Sequence, residues 1–230
     1  MPPARSTSFA RAELQALLVR GIEQLAGRHR EDARLAALTD APRLERMLDW
    51  LALLHRWNRA HNLTSVRRPE DMVVRHLLDC LAILPWVQGR APLLDVGAGP
   101  GLPGAVLAIA DPDLPVTLVD SNLKMTRFAE LAALQLGLEN LVCHRGRVEQ
   151  MSGQWPQVVS RAFASLDDFL LLAGLRCAPG GRMLAMKGRR DEAVPGGGLP
   201  TGWRLEERVP LAVPFLDAER QLVIIRKEEC

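Results

Sequence analysis

Leu93-Leu94-Asp95-Val96-Gly97-Ala98-Gly99-Pro100-Gly101-Leu102-Pro103-Gly104 is the stretch on which the fold turns. Leu93–Val96 reads as a short buried strand, and an apolar helix follows over Pro103–Ala110. Between them, glycines let the backbone turn sharply and come close to a ligand. Downstream, short apolar runs alternate with helical stretches. Val116–Asp120 is a second strand, and Ser121 or Asn122 caps a helix that stops at Gly137. Leu141–His144 and Gln157–Ser160 read as further strands, and Asp167–Cys177 as a helix. Gly180-Gly181 turns the chain into a strand over Arg182–Met186. This alternation predicts an α/β domain over 91–230, a parallel sheet covered by helices on both faces. Gly188–Gly202 is Pro/Gly-rich and reads as a loop, and Arg204–Pro210 and Gln221–Arg226 look like two more strands.

Upstream the texture differs. Leu14, Leu17, Leu18, Ile22 and Leu25 recur at helical spacing, as do Leu44, Met47, Leu48, Leu51 and Leu54. A third helix starts at Pro69, with Glu70 and Asp71 in its first turn. Residues 1–90 thus read as an N-terminal helical extension. They carry a formal charge of +4, against −2 for residues 91–230. The whole chain of 230 residues is +2, with 26 Arg and only 3 Lys, 48% hydrophobic and 24% charged. That balance excludes disorder over most of the length. No apolar run nears the ~18 residues of a membrane span, and the first residues lack the apolar core of a signal peptide. A cytoplasmic protein without membrane contact is expected. Cys80, Cys143, Cys177 and Cys230 stand far apart with no Cys-x-x-Cys pair, so no metal site is expected.

Gly99-x-Gly101-x-x-Gly104 matches a dinucleotide fingerprint, a pattern of low specificity by itself. In the other frame, Asp95-x-Gly97-x-Gly99-x-Gly101, an acid precedes the glycines. A carboxylate there suits the sulfonium and amino group of S-adenosylmethionine (SAM) and would repel the pyrophosphate of NAD. Asp120, 25 positions on, ends the second strand, where either cofactor type presents ribose hydroxyls. Arg145–Glu149 and Arg161–Leu166, at the next two strand ends, should line the same pocket.

Target chemistry narrows by elimination. No Asn/Asp-Pro-Pro-aromatic segment follows the fourth strand, where Ser160-Arg161-Ala162-Phe163 stands, and no cysteine follows a proline as a cytosine-C5 nucleophile would. A nitrogen with a free lone pair, such as guanine N7, remains. Its attack on a methyl group releases no proton, so alignment would carry most of the catalysis.

Three ordered blocks carry a family resemblance. They are Trp57-Asn58-x-x-x-Asn62-Leu63-Thr64-Ser65-Val66-Arg67 running on to Arg75-His76-Leu77-Leu78-Asp79; the glycine stretch with Leu118-Val119-Asp120-Ser121 and Lys124; and Arg147-Val148-Glu149 with Ser160-Arg161-Ala162-Phe163-Ala164-Ser165-Leu166 and Met186-Lys187-Gly188. Over residues 44–226 the sequence resembles the bacterial 16S ribosomal RNA guanine-N7 methyltransferases, also called the glucose-inhibited division protein B family. The resemblance implies a class I SAM-dependent methyltransferase (Rossmann-like) fold behind the helical extension. It also implies methyl transfer from SAM to N7 of one guanine in 16S rRNA of the small ribosomal subunit, by a monomer. Gly97 and Leu102 fall in the family's SAM-binding turn, Val148 and Glu149 at its adenosine contacts, and Arg161 in its SAM site. Ala98 and Cys80 depart from the usual Thr and Ser.

The candidate cofactor set is therefore Asp95, Gly97, Gly99, Gly101, Leu102, Asp120, Val148, Glu149 and Arg161. Arg161 is also the candidate catalytic residue, with Glu149 as an alternative ion-pair partner. Arg67, Arg75, His76, Lys124, Arg127 and Lys187 are candidates for RNA contact, and Arg68, Arg189 and Arg190 for phosphate. Trp57 reads as core, and Asn58 and Asn62 as braces of the helix-to-loop junction. A charge of +2 is low for tight binding to naked RNA, which favours a structured ribosomal particle as substrate. Two other readings stay open: a SAM enzyme acting on a small molecule, or less readily an NAD dehydrogenase, and a non-catalytic ribosome-assembly factor.

Overall fold

The computed structural model describes residues 9–161, 163, 165–188 and 198–229. Arg189, Arg190 and most of the expected 188–202 loop lie outside these residues, as do Ala162, Ala164 and Cys230. The chain opens with α1 (Arg11–Arg28), whose Leu14, Leu18, Ile22 and Leu25 face inward at helical spacing. The short α2 (Ala33–Ala37) starts where the Asp32 side chain accepts from Arg34 N. Asp40 caps α3 (Ala41–His61) by accepting from Arg43 N, and Asn62, with a left-handed φ of 51°, ends it. The predicted third helix is present in three segments. These are α4 (Pro69–Met72), a π-helical stretch Val73–Leu78 and α5 (Asp79–Leu81).

Seven strands then form one sheet: β1 (Leu93–Val96), β2 (Val116–Asp120), β3 (Leu141–Arg145), β4 (Trp155–Ser160), β5 (Cys177–Lys187), β6 (Trp203–Leu211) and β7 (Arg220–Lys227). Their order is β3-β2-β1-β4-β5-β7-β6. The first five are parallel, whereas β7 runs antiparallel to both β5 and β6. The sheet is thus mixed, with the two tail strands closing one edge. Alternation along β7 assigns the faces. Leu222 and Ile224 join one core with the N-terminal helices, α6 (Gly104–Ala110) and α7 (Leu123–Leu136). Val223 and Ile225 join the other, under α8 (Leu166–Ala173). The N-terminal helices therefore share a continuous apolar core with the sheet. Buried Gln157 adds a polar tie, accepting from Gln88 N at 2.6 Å and donating to the Gln88 and Ala91 carbonyls at 2.8 and 2.9 Å.

Two boundaries differ from the sequence reading by more than two residues. α8 stops at Ala173, and Cys177 already pairs with Trp155 as the start of β5. Pro179-Gly180-Gly181 is an irregularity inside that strand and not a turn before it: the register shifts between Trp155 and Gln157 while Gly180 takes a φ of 69°. A bulge uses the same positive-φ glycine that a turn would, so the local signal is the same.

Candidate functional site

The strand order reverses at β1, which lies between β2 and β4. Open α/β sheets bind ligands outside the carboxyl ends of their strands at such a point. There Gly97 and Ala98 donate to the Val119 carbonyl at 2.9 and 3.2 Å. Gly99 N donates to Asp120 Oδ2 at 2.8 Å, and Asn122 N to Asp120 Oδ1 at 2.7 Å. Gly97, Gly99 and Gly101 all have positive φ, which only glycine adopts at little cost. Gly104 serves packing: a Cβ there would lie 2.4 Å from Leu118 Cδ2 and 2.9 Å from Asp95 Oδ2.

Asp95 is fully buried and accepts from Gly104 N at 2.7 Å through Oδ2. Its carboxylate braces α6 from inside the turn. Burial pushes its pKa up to about 7, although the Gly104 N–H and the charge of Arg161 pull it back. Oδ1 has no hydrogen-bond partner among the described residues.

One cavity borders this turn, and a second lies beyond it at Arg161. The first, about 180 Å³, is lined by Gly97, Asp120, Ser121, Val148, Glu149 and Phe163 among others. Five of the proposed cofactor residues thus converge: Gly97, Asp120, Val148 and Glu149 line this cavity, and Gly99 is tied to Asp120. Nothing lies within 4 Å of a Cβ built at Gly99, so the turn presents bare backbone. Gly101 and the buried Leu102 close the turn through N–H bonds to the Ala98 carbonyl at 2.9 and 2.8 Å. The open backbone, the acid at the end of β2 and the orphaned Asp95 oxygen fit a nucleoside carrying a cationic group.

The second cavity, about 380 Å³, lies across the ends of β4, β5 and β7 and is lined by Thr64, Arg75, Asp79, Arg161, Lys187 and Arg220 among others. Arg161 opens onto this cavity and not the first. Its Nη1 lies 3.3 Å from Asp79 Oδ2 and donates to the Arg75 carbonyl at 2.9 Å. Its ion-pair partner is therefore Asp79, not Glu149. Asp79 also meets Arg220 Nε at 3.1 Å. Asp79 closes the first family block but carries no assigned role in the sequence, and Arg220 does not stand out there. The one available signal was an acid among the apolar residues Leu77, Leu78, Cys80 and Leu81.

The RNA candidates separate. Arg67 and Lys124 meet at the C-terminal end of α3: Arg67 donates to the Asn58 carbonyl and Asn62 Oδ1 at 3.2 and 2.8 Å, and Lys124 to the His61 carbonyl at 3.3 Å. Cations are favoured at that end of a helix. Arg75 and Arg127 are exposed, as is Arg68. His76 lines the second cavity. It is 3% exposed, bonded through Nε2 to Thr64 Oγ1 at 3.1 Å, and burial pushes its pKa down to about 4. A buried neutral imidazole offers no charge to phosphate. Lys187 is also buried, with Nζ donating to the Phe163 carbonyl at 2.7 Å, and it lines the second cavity. Asn58 braces the junction as expected, accepting from Thr64 N at 2.8 Å and donating to the Val66 carbonyl at 3.0 Å. Trp57 packs edge-on to Phe128 with ring centroids 5.9 Å apart.

A family model described as GidB, rRNA small subunit methyltransferase G, matches residues 43–223. The chain belongs to this family. Ribosomal RNA small subunit methyltransferase G of Chromohalobacter salexigens is 52% identical over 202 residues, covering 86% of this chain and 96% of that protein. The protein of the same name from Burkholderia thailandensis is 45% identical over 230 residues, covering 96% and 94%. Among solved structures, magnesium protoporphyrin IX methyltransferase ChlM from Synechocystis PCC 6803, with bound SAM, superposes with a TM-score of 0.54 at 12% identity, over 78% of this chain and 97% of that one. That likeness is one of fold, and with the seven-stranded sheet it makes this a class I methyltransferase fold. Among the described residues, no helix is long and apolar enough to cross a membrane.

Proposed function

We propose that this chain transfers the methyl group of SAM to N7 of one guanine in 16S rRNA of the small ribosomal subunit. The observation that carries the reading is the Gly97–Gly104 turn tied to Asp120 at the β1 switch point, in a chain whose residues 43–223 match the rRNA small subunit methyltransferase G family. SAM supplies an electrophilic methyl group on a positive sulfonium. Gly97, Gly99, Gly101 and Leu102 would give its amino-acid end a backbone cradle. Asp120 would accept from ribose hydroxyls with its remaining lone pairs, and Val148 and Glu149 would hold the adenine.

Attack by N7 needs no general base. What the chain provides is alignment, which by itself is worth several kcal/mol of barrier. Arg67, Lys124 and Arg127 would meet RNA phosphates at the rim, and residues 1–90 would act as an extension to a SAM-binding domain over 91–230. We further read the protein as a cytoplasmic monomer.

Titration calorimetry with SAM and NADH tests the cofactor, and transfer of labelled methyl to subunits from a strain lacking the modification tests the substrate. Binding of SAM with labelling of the subunit RNA is the expected result. Binding of NADH alone defeats the reading. So does SAM binding with no label on RNA, which would favour a small-molecule substrate or a non-catalytic assembly role.

A further inference from the structure

The second cavity holds a charge arrangement that the methyl-donor site does not account for. The Asp79 side chain, 4% exposed, sits between two guanidinium groups, Arg161 at 3.3 Å and Arg220 at 3.1 Å. The three come from the N-terminal helices, the end of β4 and the start of β7, up to 141 residues apart. Burying Asp79 carries a desolvation cost that its ion pairs do not reliably repay, and both guanidinium groups stay partly exposed to the cavity. The net charge of the three groups is positive, and exposed Arg75 adds another cation at the same cavity. Val66, Met186 and Leu211 supply apolar walls. Arg75 lies within the π-helical stretch Val73–Leu78, a conformation that is rare and found frequently at functional sites.

A cleft of about 380 Å³, lined mainly by polar and charged side chains with Val66, Met186 and Leu211 among them, suits a flat base joined to phosphate. We propose that this cleft receives the target nucleotide once it is drawn out of its RNA stack. In this arrangement Arg75 and Arg220 take the phosphates that flank the guanine. Asp79 is a positioning residue that fixes the Arg220 and Arg161 guanidinium groups relative to each other. The assignment rests on the methyltransferase reading above and adds to it the acceptor side of the site. Arg161 links the two cavities: it belongs to the acceptor cleft by contact, and its charge reaches Asp95 beneath the glycine turn.

The test is steady-state methylation of small subunits by the full chain and its Arg75→Ala, Arg220→Ala, Arg220→Lys and Asp79→Asn variants, with SAM affinity measured by calorimetry on each. Arg75→Ala and Arg220→Ala should raise KM for the subunit tenfold or more while the SAM Kd stays within twofold. Arg220→Lys should recover part of that KM, and Asp79→Asn should lower kcat/KM at least tenfold with SAM binding retained. Arg75 is exposed, so its truncation keeps the test open should Arg220→Ala or Asp79→Asn fail to fold. Wild-type KM in Arg75→Ala and in every folded Arg220 variant overturns the cleft assignment while the methyltransferase reading stands. Loss of SAM affinity in parallel with the KM change also overturns it. A wild-type chain that labels no RNA overturns both together.

Discussion

Asp120 Oδ2 accepts the Gly99 N–H at 2.8 Å, joining the end of β2 to the middle of the glycine turn. The second oxygen holds Asn122 N at 2.7 Å, at the start of α7. One carboxylate thus fixes the turn and a helix entry on either side of the first cavity. Asp120→Ala removes both acceptors. Hydrogen bonds to a charged group are worth about 1.5–3 kcal/mol each, and not all of that loss falls on the ligand. The SAM Kd should rise ~10–100-fold by calorimetry. A Kd within twofold of wild type would detach Asp120 from the cofactor site.

Asp95 and His76 set opposing pH dependences. In the unfolded chain Asp95 loses its proton near 3.8, but in the folded chain near 7, so rising pH between these values disfavours the fold. Unfolded His76 gains a proton near 6.5, but folded His76 only near 4, so falling pH through that window disfavours the fold. The two slopes offset each other in the wild type. Asp95→Asn should leave a stability that rises more steeply with pH from 4 to 6.5. His76→Gln should leave one that falls relative to wild type from 4 to 6.5. A tenfold change in proton affinity on folding is worth ~1.4 kcal/mol. Differences of order 1–3 kcal/mol should therefore separate the variants in urea titrations at about pH 4.5 and 7. Profiles parallel to wild type in both variants would refute the assignment.

Gly104 and Gly27 should respond to alanine with opposite signs. A Cβ at Gly104 meets Leu118 Cδ2 at 2.4 Å and the buried Asp95 side chain at 2.9–3.0 Å, whereas one at Gly27 meets nothing within 4 Å. Overpacking costs ~1–3 kcal/mol, so Gly104→Ala should lower Tm by ~3–10 °C in a chain of this size. Gly27→Ala, in the last turn of α1, should raise it slightly through helix propensity. A Gly104→Ala protein that melts at the wild-type temperature would contradict the close packing of α6 on β2.

The glycine turn was legible because its signal is local: an acid, three glycines and a following helix within a dozen residues. The Asp120 spacing was legible for the same reason, since one β-α-β unit sets it. The partner of Arg161 was not, because Asp79 lies 82 residues upstream and only the packing of the N-terminal helices on the sheet brings them together. Nearby Glu149 was the alternative that sequence proximity suggested. His76 and Lys187 looked like surface cations because residue type signals charge, not burial. Thr64 and the Phe163 carbonyl absorb their polar ends inside the protein. The antiparallel edge was hidden too, since strand direction is not written in the apolar pattern of residues 203–227.

A net charge of +2 gives little long-range pull on a polyanion. Recognition should then depend on the shape of a folded particle. Methyl transfer to intact 30S subunits should exceed transfer to deproteinised 16S rRNA at the same concentration and salt. Equal rates on both would assign recognition to the RNA alone.

The central claim is the transfer of a methyl group to a bare ring nitrogen of one guanine. Its direct test is to treat 30S subunits lacking the modification with this chain and SAM, then map N7-methylguanine by borohydride and aniline cleavage followed by reverse transcription. A single new stop in 16S rRNA, absent without SAM and absent with Asp120→Ala at limiting SAM, is the predicted result. Methyl incorporation into the RNA with no cleavage at any guanine would place the label on another atom and contradict the account.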